Sequence, residues 1–195
     1  MKKYLVTGGA GFIGSHIVKA LVKKGYFVRV LDNLSSGKIE NLKEVKKDID
    51  LVKGDIRSQD LCLKAAKGVD FILHQAALRS VPKSFLNIKE YNDVNISGTV
   101  NLLDAAVKNK IKVFVFASSS SVYGETNVFP EKEDFVPAPI SPYALTKLAG
   151  EHYCRIYSIA YKLPTLSLRY FNVFGPRQSL DDEYAVVIPK FISCL

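Results

Sequence analysis

The stretch KYLVTGGAGFIGSHIVKALVKKG, residues 3–25, decides the fold. Its first five residues, Lys3–Thr7, make a run of strand length containing aromatic and β-branched side chains. From Phe12 to Lys24 the apolar Ile13, Ile17, Ala20 and Leu21 recur at helical spacing, and Gly25 stops the helix. Between the two lies Gly8-Gly9-Ala10-Gly11-Phe12-Ile13-Gly14, in which Gly9-x-Gly11-x-x-Gly14 and Gly8-x-x-Gly11-x-x-Gly14 overlap. Strand, glycine-rich turn and helix in this order open a βαβ unit whose backbone N–H groups and helix N-terminus favour a pyrophosphate. Glycines also serve many βα turns for geometry alone, so the turn by itself leaves both readings open.

Beyond this unit, short β-rich runs alternate with amphipathic stretches. Strands are expected at Phe27–Leu31, Asp50–Lys53, Asp70–His74, Lys112–Ala117 and Thr165–Arg169, and helices near Ser58–Ala66, Tyr91–Lys108 and Pro142–Tyr161. Ser141 followed by Pro142 pairs a capping side chain with a first-turn proline at the start of the last long helix. The alternation predicts an α/β fold, a doubly wound parallel sheet of Rossmann type flanked by helices. After Arg169 the pattern loosens; Phe174-Gly175-Pro176-Arg177 reads as a turn.

Bulk composition agrees with one substantial core: the chain has 195 residues, 48% of them hydrophobic, with no low-complexity stretch. The net charge of +8 is compatible with a nucleic-acid surface, an anionic small ligand or a lysine-rich exterior. The lysines are dispersed (Lys19, Lys23, Lys24, Lys43, Lys46, Lys47, Lys53), which favours a solvated exterior, and no nucleic-acid partner is expected. Cys62, Cys154 and Cys194 are odd in number and lack C-x-x-C spacing, so reduced thiols are expected and neither a disulfide framework nor a metal site is. The apolar runs are strand-sized and Met1 leads directly into a strand, so the expectation is a cytoplasmic protein without a membrane segment.

Asp32 strengthens the reading of the glycine turn. It ends the second strand 18 positions after Gly14, close to where a carboxylate meets the adenosine ribose hydroxyls. A carboxylate there repels a 2′-phosphate, so NAD is favoured over NADP. Asp55-Ile56, at the next strand end, is placed to contact adenine. A turn residue remains the alternative for Asp32.

A second constellation lies in the other half of the chain. Tyr143 and Lys147 stand four apart on a predicted helix, on one face and one turn apart. A nearby ammonium favours phenolate and lowers a tyrosine pKa toward that of a useful base. The strand before them runs into Ser118-Ser119-Ser120-Ser121-Val122-Tyr123-Gly124, which puts hydroxyls at the carboxyl edge of the sheet. Tyr-x-x-x-Lys occurs by chance on helices, and four serines suit a polar turn. Their order after a glycine turn assembles the parts of a hydride-transfer site.

The segments TGGAGFIGSH (7–16), LDNLSSG (31–37), GDI (54–56), HQAALRSVPKS (74–84), NISGT (95–99), SSSSVYG (118–124), SPYALTK (141–147) and RYFNVFGPRQ (169–178) resemble the extended short-chain dehydrogenase/reductase family. The resemblance is closest to its UDP-sugar 4-epimerases of the UDP-glucose and UDP-N-acetylglucosamine type. It implies contacts to NAD from Gly8, Gly11, Phe12, Ile13 and Gly14, and from Asp32, Asn33, Leu34, Ser35, Ser36 and Gly37. Further cofactor contacts are implied for Asp55, Ile56, Gln75, Ala76, Ala77, Arg79, Asn95, Tyr143, Lys147 and Phe171. It implies Ser119, Tyr143 and Lys147 as the catalytic set, with Tyr143 as the base that works through a 4-keto sugar. Ser80, Ser119, Ser120, Tyr143, Asn172 and Val187 fall where relatives touch the sugar nucleotide, and His74 belongs to a strand-end H-x-A-A that reads as structural.

Dehydratases of the family carry an Asp-Glu pair just after the catalytic hydroxyl, where this chain has Ser120 and Ser121. Serine does not supply that proton chemistry at neutral pH. Decarboxylating relatives carry a Glu that is likewise missing, so the epimerase reading leads. The alternatives are a dehydratase or decarboxylase, or a truncated NAD-binding module without turnover. Relatives run well beyond 195 residues, which implies an NAD-binding domain over 1–175 and the beginning of an incomplete substrate domain over 176–195. They also imply a homodimer through a four-helix interface formed by the helices at Tyr91–Lys108 and Pro142–Tyr161.

Overall fold

The computed structural model describes residues 1–178 together with 188, 191, 192 and 194. β1 (Lys3–Thr7), α1 (Phe12–Lys23), β2 (Phe27–Asp32), a 3-10 turn (Ile39–Val45) and β3 (Ile49–Lys53) come first. α2 (Gln59–Ala66), β4 (Phe71–His74), α3 (Val81–Leu86) and α4 (Ile88–Tyr91) follow, and a π-helical turn (Asn92–Ser97) leads into α5 (Gly98–Lys108). β5 (Val113–Ser119), a 3-10 turn (Ser120–Tyr123), α6 (Pro142–Tyr161) and β6 (Thr165–Tyr170) complete the described elements. The six strands form one parallel sheet in the order β3-β2-β1-β4-β5-β6.

Alternation along β1 shows why both faces are covered. Leu5 points into one core with Leu31, Ile72, Leu102, Phe114 and Phe116, while its neighbour Val6 points into a second with Val18, Val28, Val30 and Leu42. The chain winds from β1 outward to β3, then returns to β4 and winds the other way. The crevice between the carboxyl ends of β1 and β4 is therefore the switch point at which open α/β sheets bind ligands.

The doubly wound parallel sheet and all six strands agree with the sequence expectation. Three local features differ. The expected helix Tyr91–Lys108 is divided by the π turn at Asn92–Ser97, and the short Ile39–Val45 and Val81–Leu86 are helical turns that the apolar pattern does not announce. Each short element carries too few turns to show periodicity, and a π turn shifts register without breaking an apolar pattern. α6 begins as expected, with the Ser141 hydroxyl accepting from the Ala144 N–H at 3.1 Å.

Candidate functional site

The glycine turn is shaped by close backbone approaches. Gly8 has φ +65°, and a Cβ there would lie 2.7 Å from the Ala76 nitrogen; a Cβ on Gly14 would strike the Gly8 carbonyl oxygen. Helix α1 starts from Gly11 with no capping side chain and no acidic residue in its first turn. Its N–H groups and positive dipole end are thus left for an anion. These features fit a dinucleotide pyrophosphate.

Asp32 lies in the same crevice. Its carboxylate accepts from the Ala10 N–H at 2.9 Å and the Leu34 N–H at 2.8 Å, one bond to each oxygen. Each oxygen retains a lone pair for a ligand hydroxyl. Gly37 packs against that carboxylate, since a Cβ there would sit 2.9 Å from Oδ1. Asp55 is paired with Arg57 through bonds of 3.0 and 2.7 Å and accepts from Asn33 at 2.9 Å. The Arg57 guanidinium holds its carboxyl down at about 2, so Asp55 is ionised throughout the neutral range.

A cavity of about 490 Å³ runs from this crevice to the start of α6. Of the cofactor residues expected from the sequence, Leu34 and Asn95 do not line it. Leu34 contributes through its N–H to Asp32. Asn95 is 2% exposed, and its amide bonds the Leu78 backbone and Thr146. Ser80, Ser119, Ser120, Tyr143 and Asn172 all line the cavity, and Val187 lies outside the described residues.

Ser119, Tyr143 and Lys147 meet at one end of this space. Lys147 is buried, donates to the Ala117 carbonyl at 2.9 Å and stands 5.9 Å from the Tyr143 ring centroid. Burial lowers its pKa to about 8. The expectation that Lys147 depresses the Tyr143 pKa is not met. Burial raises the phenol, and the opposing influences are a hydrogen bond from Ser119 and the charge of Arg79. The Ser119 hydroxyl has one proton and two acceptors in reach, the phenol and the Ser121 hydroxyl at 3.1 Å.

Two features had no signal in the sequence reading. Glu151 accepts from Ser118 at 2.5 Å and pairs with Arg169 through bonds of 3.0 and 2.9 Å, which ties the serine-bearing end of β5 to α6 and β6. Ser80, at the cavity wall beside Arg79, takes φ +125°. The Tyr91 hydroxyl donates to the Ser80 carbonyl at 2.9 Å and holds that strained turn. Arg79, expected as a cofactor contact, lines the cavity next to this turn.

Fold and site together define a doubly wound protein of dinucleotide-binding type in which Ser119, Tyr143 and Lys147 share the cavity of the glycine turn. Residues 4–195 match the sequence profile of the NAD dependent epimerase/dehydratase family, and the chain belongs to that family. It is 43% identical over 185 residues to a putative UDP-glucose 4-epimerase of Methanocaldococcus jannaschii, covering 94% of this chain and 60% of the relative. Among solved structures, the UDP-N-acetylglucosamine 4-epimerase of Methanobrevibacter ruminantium in complex with UDP-N-acetylmuramic acid is 47% identical with a TM-score of 0.93, covering 98% of this chain and 62% of that one. The UDP-glucose 4-epimerase of Thermus thermophilus in complex with NAD is 42% identical with a TM-score of 0.86, covering 91% and 57%. The chain spans about 60% of the length of these relatives.

Proposed function

We propose that this chain binds NAD and takes part in the 4-epimerisation of a UDP-hexose or UDP-N-acetylhexosamine. The observation that carries this reading is the convergence of Ser119, Tyr143 and Lys147 on the same cavity as the glycine turn and Asp32. The turn and the α1 N-terminus hold the pyrophosphate, and Asp32 accepts from the adenosine ribose. Bound there, NAD supplies a hydride acceptor and donor.

Tyr143 takes the proton of the sugar 4-hydroxyl and returns it to the same oxygen. Ser119 donates to the phenolate oxygen or orients the hydroxyl, a choice its single proton permits. Arg79 favours the phenolate against the cost of burial, and Lys147, held by the Ala117 carbonyl, stands beside the Tyr143 ring. Ser80, Ser120 and Asn172 face the sugar nucleotide. Val187 is assigned to the nucleotide side, and 176–195 to the beginning of the substrate domain.

A homodimer is assigned to the four-helix pairing of α5 and α6, and α6 supports it by leaving Leu145, Ile156 and Ile159 exposed at spacings that fall on one stripe. No described helix is long and apolar enough to cross a membrane, and free thiols at Cys62, Cys154 and Cys194 suit the cytoplasm. The test is incubation of the NAD-loaded chain with UDP-glucose and with UDP-N-acetylglucosamine, followed by resolution of the C4 epimers. Product from either supports the reading. Bound NAD with no epimer from both makes the chain a nucleotide-binding module.

A further inference from the structure

Behind the cavity runs a hydrogen-bonded array that the chemistry above does not use. His74 closes β4 and is buried, with Nδ1 2.7 Å from Thr7 Oγ1 and Nε2 3.0 Å from Thr99 Oγ1. Counting protons fixes its direction. Thr99 gives its single hydroxyl proton to the Asn95 carbonyl at 2.6 Å, so it must accept at His74, and Nε2 carries the ring proton. Nδ1 is then an acceptor and takes the Thr7 hydroxyl proton. Thr7 Oγ1 in turn accepts from the Ala76 N–H at 3.2 Å.

The far end is equally complete. Asn95 accepts from the Leu78 N–H at 2.8 Å and donates to the Leu78 carbonyl and to Thr146 Oγ1, both at 3.0 Å. Thr146 donates to the Tyr143 carbonyl at 2.7 Å. A continuous line of matched donors and acceptors thus joins the backbone beside the glycine turn to the backbone of Tyr143. The π turn at Asn92–Ser97 places both the Asn95 carbonyl and its side chain on this line.

The segment between the two ends needs such an anchor. Residues 75–78 belong to no helix or strand, yet they form the cavity wall against Gly8. Three backbone N–H groups of this wall are held: Gln75 by the Thr7 carbonyl at 3.1 Å, Ala76 by the Thr7 hydroxyl and Leu78 by Asn95. Every one of those anchors belongs to the array or abuts it. Burial and the Lys147 charge lower the His74 pKa to about 3 and keep the ring neutral, as the single proton arrangement requires.

We propose that Thr7, His74 and Thr99 are positioning residues, a one-tautomer array that registers the nucleotide cradle against the Tyr143 face of α6. The proposal rests on the reading of the cradle and of Tyr143 given above. Hydride transfer demands that register, because displacement of a reacting group by about 1 Å costs on the order of a hundredfold.

Two measurements on the 195-residue chain test it. In the ¹⁵N-histidine-labelled protein, His74 should show a protonated Nε2 and a bare Nδ1, unchanged as the pH falls to about 5. A proton on Nδ1, or titration near the ordinary histidine value of about 6.5, overturns the array. Thr7→Val and Thr99→Val should each raise the NAD dissociation constant roughly tenfold. Thr7→Ser and Thr99→Ser should restore it, and the double valine variant should lose no more than either single one. Losses that multiply, or a lower melting temperature with unchanged NAD affinity, mark the threonines as independent packing residues and overturn the proposal. Failure of the unsubstituted chain to bind NAD overturns the functional reading and the purpose given to the array, while the ¹⁵N pattern separately reports whether the array exists.

Discussion

The glycine turn and the Ser119, Tyr143 and Lys147 cluster are built by opposite means. Around β1, α1 and β2 the site is specified by what is missing: no Cβ at Gly8, Gly14 or Gly37, no capping side chain and no acid in the first turn of α1. Around β5 and α6 it is specified by what surrounds the groups. Burial raises the Tyr143 phenol and lowers Lys147 to about 8, and the phenol also responds to Ser119 and Arg79, 24 and 64 positions away. A site made of backbone is local and rigid; a site made of titrating side chains takes its properties from the whole neighbourhood.

Substitutions separate the two halves. Gly14→Val should have the largest effect, because its side chain meets the Gly8 carbonyl and the backbone there has no room to retreat. A loss of about 3 kcal/mol in urea unfolding, together with loss of NAD binding, is expected. Unchanged binding would show that the turn is not the cradle. Tyr143→Phe should do the reverse, sparing NAD affinity while lowering epimer formation by roughly 10²- to 10⁴-fold in a turnover assay. Wild-type turnover in that variant would remove Tyr143 as the base.

Lys147→Met sharpens the contrast through pH. The folded pKa of Lys147 lies below its usual 10.5, so the unfolded chain binds the extra proton between about 8 and 10.5. Burial of the ammonium therefore penalises the folded chain fully below pH 8 and is relieved as the pH rises. The stability of the native chain relative to Lys147→Met should climb across this window by up to about 1.4 kcal/mol per pH unit. A flat difference in denaturant midpoints would show that Lys147 is hydrated. The smallest effect belongs to Arg79→Met, which removes a charge that favours the phenolate. The ascending limb of the turnover profile, where the phenol gives up its proton, should move to higher pH by a fraction of a unit, with the fold unaltered.

How much of this was legible follows the same division. All six strands could be read from short β-rich runs, and the start of α6 from Ser141-Pro142, because each signal is contained in a few adjacent residues. The glycine turn, Asp32, Ser119, Tyr143 and Lys147 are named by short motifs and their spacing, and the fold brings them to one cavity. The bonds from the Asn95 amide to the Leu78 carbonyl and to Thr146 have no signature in the sequence, because they join segments 17 and 51 positions apart. The Tyr143 and Lys147 spacing predicted a lowered phenol pKa, and burial reversed it. Ser80 gave no hint of its strained φ, which depends on Tyr91 holding its carbonyl.

Sequence alone determined the alternation of strands and helices, the order of the elements and the glycine turn, since strand length, helical period and the absence of a side chain are properties of neighbouring residues. Tertiary structure decided the burial that shifts Tyr143 and Lys147 and the hydrogen-bond partners of His74. One of those partners is Thr7, 67 positions from His74, which meets it because β1 and β4 pair in register. Desolvation and hydrogen-bond direction are sums over such distant partners, and the fold brings them together.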